Sequence, residues 1–196
     1  MHDIAALCHR IAANVKFSLS EIIITDRLIL QRLKYEDAEE IFYTYASKPE
    51  ATRFVSWETH RRMEDTMRFL RTSRYLWTKQ KDFSYSVRLR DTNRLIGGIG
   101  CINQEGRIEL GYIFSPTQWN KGFATEGCQA VLAELSRQSG IQCISTFVDA
   151  ENIASIRVLQ KCGLSEESRV SSYFPFPNQC GKRKDCVIFS YFPGRN

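Results

Sequence analysis

The chain lacks the features that mark membrane, secreted and zinc-bound proteins. No uninterrupted apolar run approaches the roughly 20 residues that a membrane-spanning helix needs. The N-terminal stretch is broken by His9, Arg10 and Lys16 and carries no clear secretory cleavage signal. The seven cysteines are an odd number, and no two of them form a Cys-x-x-Cys pair. Their spacing predicts neither a disulfide framework nor a zinc site, so we expect a cytoplasmic protein without a metal.

The signatures of several common enzyme classes are also missing. There is no G-x-x-x-x-G-K-[ST] segment, and Gly97-Gly98-Ile99-Gly100 does not complete G-x-G-x-x-G because Asn103 holds the last place. These glycines instead predict a close backbone approach or a bulge within a strand. There is no G-x-S-x-G elbow either, and the histidines at positions 2, 9 and 60 form no apparent cluster. The sequence therefore gives little support to a Ser/His or Cys/His nucleophile.

The composition is that of an ordinary folded domain. With 196 residues, 43% of them hydrophobic and 25% charged, the chain can build one domain with a full core. The net charge of +5 slightly favours anionic ligands but falls short of a nucleic-acid-binding footprint. We therefore expect neither a nucleic acid nor a membrane as a partner.

Hydrophobic periodicity predicts alternating strands and helices along the chain. Apolar residues at helical spacing indicate a helical N-terminal extension over residues 1–20, packed on the domain or on a partner. The predicted strands are 22–33, 83–90, 95–102, 107–114, 141–148, 164–171 and 183–191. The predicted helices are 37–46, 58–77, 122–138 and 152–162. The strand–helix–strand unit over 107–148 requires a parallel strand pair, whereas the strands before it form an antiparallel meander.

The most informative segment lies where a predicted strand leads into a small-residue turn. The strand ends at Phe114, and the segment Trp119-Asn120-Lys121-Gly122-Phe123-Ala124-Thr125-Glu126 then opens a helix. Gly122 and Ala124 permit another group to approach the backbone closely. The amides of the first helical turn have no partner within the helix and lie at its positive end. This arrangement predicts a site for an anion such as pyrophosphate.

Two polar residues open the next predicted helix. Asn152 and Ser155 are three residues apart and therefore share one helix face, just after the strand that follows the anion-binding turn. Two polar groups beside a strand end suit a linear ligand that contains amides. Taken alone, Asn152 is equally consistent with a helix cap.

In order along the chain, these segments resemble the GNAT family of acetyl-CoA-dependent N-acetyltransferases, and within it the RimJ/RimL-type branch. Residues 119–124 match the family loop [R/Q]-x-x-G-x-[G/A], with Trp119 in place of Arg or Gln. The sequence is also similar to that branch at Thr25-Asp26-Arg27-Leu28-Ile29-Leu30, Leu95-Ile96-Gly97-Gly98-Ile99-Gly100, Ile108-Glu109-Leu110-Gly111-Tyr112, Asn152-Ile153-Ala154-Ser155 and Lys161-Cys162-Gly163-Leu164. Residues 21–196 are thus identified as one acetyltransferase domain.

The resemblance implies a fold and a binding mode. The fold is α/β (α+β), with a mixed, mostly antiparallel sheet of about seven strands flanked by about four helices. A splayed parallel strand pair binds acetyl-CoA, whose acetyl-pantetheine arm inserts like an extra strand. A backbone N–H near Ile113 or Phe114 would polarise the thioester carbonyl. The residues implied in acetyl-CoA binding are Ile113, Phe114, Asn120, Lys121, Gly122, Phe123, Ala124, Thr125 and Asn152.

The same resemblance implies direct attack by the acceptor amine, which raises two proton-transfer problems. Glu109 is the candidate base, directly or through water, although strand alternation could equally place it in solvent. Ser155 is the candidate proton donor to the leaving thiolate and Tyr112 its substitute, and a structural role is the alternative for either hydroxyl. A protein α-amine, with a pKa near 8, is roughly a tenth neutral at pH 7 and needs less help from a base than a lysine side chain.

The predicted function is the transfer of an acetyl group from acetyl-CoA to a primary amine, and the acceptor is a protein or peptide N-terminal α-amine. One alternative is a small-molecule acceptor such as a polyamine, an amino acid or a drug. The other is a non-catalytic acyl-CoA-binding module. We expect acceptor specificity to depend on the first helices and on the loops around Trp57 and residues 174–176. The oligomeric state is left open between monomer and homodimer.

Overall fold

The computed structural model of the protein describes residues 15–194. The predicted N-terminal helix therefore lies mostly outside the described residues. The part that is described, residues 15–20, is not helical. Phe17 of this segment is buried and stacks on Phe83, with 5.0 Å between the ring centroids. These last residues of the extension thus pack on the domain as an extended segment.

One open sheet of eight strands forms the centre of the fold. The strands are β1 (Ile22–Ile24), β2 (Leu28–Arg32), β3 (Asp82–Leu89), β4 (Leu95–Gln104), β5 (Arg107–Phe114), β6 (Cys143–Asp149), β7 (Ser165–Pro175) and β8 (Arg183–Tyr191). Their order across the sheet is β1-β2-β3-β4-β5-β6-β8-β7, and every neighbouring pair is antiparallel except β5 and β6. The predicted mixed, mostly antiparallel sheet with one parallel pair is confirmed.

The prediction of one continuous strand over residues 22–33 is wrong. Strands β1 and β2 form a hairpin instead, with Ile24 opposite Ile29, and this supplies the eighth strand. The chain reverses at Thr25, whose hydroxyl accepts a hydrogen bond from the Leu28 amide at 2.9 Å. Short polar side chains that bond to a backbone amide in this way stabilise tight turns.

Five α-helices accompany the sheet within the described residues: α1 (Ala38–Ile41), α2 (Pro49–Thr52), α3 (Met63–Thr78), α4 (Phe123–Ser136) and α5 (Ile153–Lys161). The short α1 lies between a 3-10 turn at Tyr35–Asp37 and a π-helical turn at Phe42–Ala46, and the three together occupy the predicted helix 37–46. The predicted helix 58–77 begins five residues late, at Met63. The periodicity predicted no helix at α2, which is a single turn.

Two clusters of buried side chains hold the layers together. The larger one joins the sheet to α4 and α5 and includes Leu110, Val131 and Leu159. The smaller one joins β4 to the helical region before β3 and includes Ile41 and Leu70. The sheet is therefore covered on both sides of β4 and β5, and a ligand can reach these strands only where the cover is interrupted.

No helix within residues 15–194 is both long enough and apolar enough to cross a membrane. Five of the six cysteines in this part of the chain are buried, and these five pack as small hydrophobic side chains.

Candidate active site

A gap between β5 and β6 defines the candidate site. The two strands pair only at their beginnings, where Arg107, Ile108 and Glu109 lie opposite residues 143–145. Beyond Glu109 the strands diverge, whereas β5 stays paired with β4 along its whole length up to Phe114. The predicted splayed parallel pair is therefore present, and the second half of β5 has a backbone edge without a neighbouring strand.

The polar groups on this free edge follow from strand alternation. The Ser115 amide donates to the Ile96 carbonyl at 2.8 Å, so residue 115 faces β4. Successive residues point their N–H and C=O groups to opposite edges of a strand. Ile113 therefore faces β4, while Tyr112 and Phe114 face the gap. The Phe114 carbonyl accepts a hydrogen bond from Trp119 Nε1 at 2.9 Å, and its N–H points towards the gap.

The turn before α4 has the backbone geometry that the sequence predicted for an anion site. Asn120 and Gly122 have φ values of 61° and 81°, both left-handed, and Gly122 is the N-cap of α4. The first amide of this helix to find a main-chain partner belongs to Glu126, which donates to the Gly122 carbonyl at 3.0 Å. The amides of Phe123, Ala124 and Thr125 are consequently free to bind an anion at the positive end of a 14-residue helix.

Glu126 fastens this turn to the β1–β2 hairpin. Its carboxylate accepts hydrogen bonds from the Thr25 hydroxyl at 2.6 Å, the Arg27 amide at 3.0 Å and Arg27 Nε at 2.7 Å. Burial raises the pKa of Glu126, but these bonds outweigh it and leave the pKa below its usual value. Arg27 also donates from Nη1 to the Lys121 carbonyl at 3.0 Å. The hairpin that the sequence did not predict thus supports the predicted anion site.

Three polar side chains lie between β5 and α5: Tyr112 on β5, and Asn152 and Ser155 at the start of α5. The Asn152 Oδ1 atom accepts from the Ser155 amide at 3.1 Å, so Asn152 caps α5, as one of its two interpretations predicted. The hydroxyls of Tyr112 and Ser155 are hydrogen-bonded at 2.7 Å, across the space between β5 and α5. Burial raises the pKa of Tyr112 well above its usual value, despite the hydrogen bond to Ser155. Tyr112 is therefore a neutral hydrogen-bond donor at physiological pH.

Glu109 is a half-buried carboxylate at the point where β5 and β6 separate. Within residues 15–194 its side chain has neither a hydrogen bond nor an ion pair, and burial raises its pKa. An acid of this kind accepts a proton more readily than an ordinary surface glutamate. The side chain lines the cleft described below, so the alternative that it points only into bulk solvent is not supported.

A continuous cleft of about 930 Å³ passes through the gap and joins these groups. It is lined by every predicted site residue except Lys121, namely Glu109, Tyr112, Ile113, Phe114, Asn120, Gly122, Phe123, Ala124, Thr125, Asn152 and Ser155. The Lys121 ammonium folds back to the Thr117 carbonyl at 2.9 Å, so only the backbone of Lys121 belongs to the turn.

The cleft is also lined by residues that the sequence did not reveal. His60 lies beside Trp57, with 5.0 Å between their centroids, and its Nδ1 contacts the Thr66 hydroxyl at 2.8 Å. Burial lowers the pKa of His60, so its ring is neutral near pH 7. Asp82, at the start of β3, also lines the cleft. No spacing in the sequence relates these residues to the turn at Gly122, because separate elements bring them together.

The Trp57 loop is tied to the other loop that was expected to determine specificity. The Asn178 amide donates to the carbonyls of Thr52 at 2.7 Å and Trp57 at 2.9 Å, and its Oδ1 accepts from the Thr59 amide at 3.0 Å. Phe176, two residues before Asn178, lines the cleft. The two loops therefore form one wall.

Comparison with known proteins identifies the family. A family model described as an acetyltransferase (GNAT) domain matches residues 27–165. The uncharacterized N-acetyltransferase YoaA of Bacillus subtilis (strain 168) is 33% identical over 172 residues, which are 86% of this chain and 95% of that protein. The chain therefore belongs to the GNAT acetyltransferase family, as its sequence motifs predicted.

Solved structures share the fold. A GNAT-family acetyltransferase from Bacillus anthracis has a TM-score of 0.77 and 25% identity, with 89% of this chain and 99% of that chain covered. RimL, a ribosomal L7/L12 alpha-N-protein acetyltransferase solved in complex with coenzyme A, has a TM-score of 0.78 and 15% identity, with 88% and 98% covered. The predicted likeness to the RimJ/RimL type thus extends to the three-dimensional fold.

Proposed function

We propose that the protein transfers an acetyl group from acetyl-CoA to a primary amine, and that the acceptor is the N-terminal α-amine of a protein or peptide. The observation that carries this proposal is the cleft between β5 and β6. One passage joins a free helix N-terminus, a free strand edge and the carboxylate of Glu109, which has no partner within the described part of the chain. Membership of the GNAT family and the coenzyme A bound to RimL support acetyl-CoA as the donor.

The residues around the gap fit an acyl-CoA molecule along its length. The amides from Asn120 to Thr125 suit the pyrophosphate because they surround a helix N-terminus. The free edge of β5 offers amide and carbonyl groups to the two amides of the pantetheine arm. The Asn152 Oδ1 atom is used by its cap, which leaves the Nδ2 donor for the ligand. When bound, acetyl-CoA supplies the activated acyl group.

For the oxyanion donor, strand alternation favours Phe114 over Ile113. The Phe114 N–H points into the gap, whereas Ile113 is turned towards β4. A backbone N–H held in a rigid strand stabilises the negative charge that develops on the thioester oxygen when the amine attacks. Trp119 occupies the carbonyl of the same residue and so fixes the end of β5.

Glu109 serves the deprotonation of the acceptor amine, and the Tyr112–Ser155 pair serves the departure of the thiolate. Glu109 takes the proton from the acceptor ammonium, directly or through water, because burial makes it a better base than a solvated carboxylate. Ser155 donates a hydrogen bond to the departing thiolate while Tyr112 donates to Ser155. A coenzyme A thiolate resembles a cysteine thiolate, whose pKa is near 8.5, so such a donor assists its departure.

Two features support an α-amine acceptor. An α-amine is roughly a tenth neutral at pH 7, so one carboxylate with a raised pKa is sufficient help. The fold is shared with RimL, an alpha-N-protein acetyltransferase, and the wall that contains Trp57 and Phe176 lines the same cleft as Glu109.

The test is acceptor-dependent thiol release. The purified protein is mixed with acetyl-CoA and a panel of short peptides and small amines, and free coenzyme A is followed over the rate without acceptor. We expect release with peptides that have a free N-terminus and none with N-terminally blocked peptides that lack lysine. Turnover confined to small amines would show that the acceptor is a small molecule and not a peptide N-terminus. Calorimetric binding of coenzyme A without any turnover would favour a binding module.

A further inference from the structure

A row of three side chains crosses the floor of the cleft next to the predicted base. Asp82 on β3 is paired with Ile102 on β4, and Ile102 is paired with Glu109 on β5. Cross-strand partners project from the same face of a sheet, so the three side chains stand side by side. All three line the cleft. From β3 to β5, the row therefore consists of a carboxylate, an apolar side chain and a second carboxylate.

Ile102 is the apolar member of this row. It lies near the end of β4, a central strand of the sheet, and 45% of its surface is exposed where it lines the cleft. An apolar side chain between two carboxylates is matched by a ligand with an aliphatic segment between two cations. From two strand spacings, the Cα atoms of Asp82 and Glu109 are about 9.5 Å apart, a span that a short aliphatic chain with charged ends can bridge.

The row beside it leaves room for such a ligand. Ser84, Gly100 and Gly111 are paired across the same three strands. A Cβ atom added at Gly111 would meet no heavy atom within 4 Å, and one added at Gly100 would meet only the Ser84 hydroxyl, at 3.1 Å. Packing within the protein thus does not require glycine at position 111, and the space above it belongs to the cleft.

The charge of this floor contrasts with that of the whole chain. The protein has a net charge of +5, yet the only charged residues in the two rows are Asp82 and Glu109. The cations that line the cleft, Arg157 and Lys161, belong to α5 on the opposite side of the gap. The sheet floor is therefore an anionic surface in a basic protein.

We propose that the cleft selects acceptors that carry a second positive charge, with Glu109 beside the reacting amine, Ile102 along the aliphatic linker and Asp82 on the second cation. This inference rests on the proposed function and narrows its substrate class. The shared chemistry is a primary amine joined by a short aliphatic chain to an ammonium or guanidinium group. Asp82 accepts hydrogen bonds from Ser84, at 2.6 Å, and from the buried Ser73, and the remaining acceptor sites of its carboxylate are left for a ligand. Burial raises the pKa of Asp82, and a cation beside it would favour the charged form.

The test uses two pairs of acceptors that differ only in the second charge. One pair is an arginine-led and a citrulline-led tripeptide amide, and the other is diaminobutane and aminobutanol. For the wild-type protein we expect the charged member to have a kcat/KM about tenfold higher than its partner, on the scale of a hydrogen bond to a charged group. The difference should lie mainly in KM. A preference in the peptide pair alone identifies basic N-termini as acceptors, and one in the diaminobutane pair alone identifies free diamines.

Variants show whether Asp82 causes the preference. Asp82→Asn should reduce the ratio within each preferred pair to about one, and Asp82→Glu should restore part of it, since a hydrogen bond to a charged group needs the charge. Asp91→Asn, in the exposed β3–β4 turn, is the matched control and should keep the wild-type ratio. The ratio is taken within one variant, so a general loss of activity does not alter it.

Two results would overturn the inference while the proposed function stands. One is turnover by the wild-type protein at equal rates within both pairs, and the other is an unchanged preference in Asp82→Asn. The absence of acceptor-dependent thiol release with all four compounds and with the wider amine panel would instead overturn the proposed function itself, and with it this inference.

Discussion

Replacing Glu109 by Gln should separate catalysis from folding. The side chain keeps its size and loses the ability to take a proton, at a position with no hydrogen-bond or ion-pair partner within residues 15–194. General-base catalysis contributes about a hundredfold or more, so kcat/KM for an α-amine at pH 7 should fall by about that factor. The residual rate should rise about fivefold between pH 7 and pH 8, since the variant can use only amine that is already neutral and that fraction grows from about a tenth to about a half.

The acceptor dependence of this loss can be worked out from the amines. At pH 7 about a tenth of an α-amine is neutral, but only about 0.04% of an alkylamine with a pKa of 10.4. The ratio of the two neutral fractions is about 250. Without a base, the rate with the α-amine divided by the rate with the alkylamine should rise towards that value. Glu109→Gln should therefore lose more activity on a lysine-like amine than on a peptide N-terminus.

Stability should change in the opposite direction. Burial raises the pKa of Glu109, so its ionised form is disfavoured in the folded protein, and stability is lost as the pH rises through that pKa. Gln has no ionised form, so urea unfolding at pH 8 should show Glu109→Gln to be more stable than the wild type. The advantage should disappear well below the ordinary glutamate pKa of about 4.3, where both side chains are neutral.

Steady-state rates by thiol release and urea unfolding test these expectations on the same preparations. Glu167→Gln, at an exposed position in β7, is the matched control and should change neither. The assignment of Glu109 as the base would be refuted by a variant that keeps activity within about threefold of the wild type with the same pH profile, far from the hundredfold expected for a lost base.

The remaining predictions concern the walls of the gap. Tyr112→Phe and Ser155→Ala should each lower kcat at saturating acetyl-CoA by about tenfold, and the double variant should lose far less than the product because the hydroxyls act as one unit; a multiplicative loss would contradict this. Gly122→Ala should reduce the free energy of unfolding by about 1 kcal/mol, because alanine disfavours the left-handed φ of 81° at this position. The Tm should fall by about 3 °C, and calorimetry should show weaker binding of coenzyme A. An unchanged Tm and Kd would count against the turn geometry. Trp119→Phe removes the donor to the Phe114 carbonyl, so kcat/KM should fall about fivefold, the scale of one hydrogen bond; unchanged kinetics would show that this bond does not position the strand.

Local chemistry explains the parts of the site that the sequence predicted. The turn at Gly122 was predictable because a left-handed φ and unpaired first-turn amides are properties of a few consecutive residues. Strand β5 and helix α5 were predictable because their hydrophobic periodicity is strong. The bounds of β5 and β8 agree with the predicted ones, and α4 and α5 agree within two residues at each end.

The errors arose where distant residues determine local structure. Residues 22–33 have the β-branched and alternating pattern of a single strand, yet the chain turns at Thr25 because Glu126, about a hundred residues later, binds Thr25 and Arg27. The sequence of residues 22–33 alone does not predict that contact. Likewise, His60 seemed isolated in the sequence and lies in the cleft.

The sequence by itself determined the family, the turn at Gly122 that opens α4 and the parallel pair, because each depends on neighbouring residues or on a short strand–helix–strand connection. It left the helix cap at Asn152 as one of two interpretations. Only the tertiary structure decided that β5 and β6 separate after Glu109, that Phe114 rather than Ile113 faces the gap, and that Asp82 stands in one row with Glu109. These facts depend on strand register and on the faces of a sheet. A register is set by the packing of the whole core, and a shift of one residue would turn every side chain to the other face.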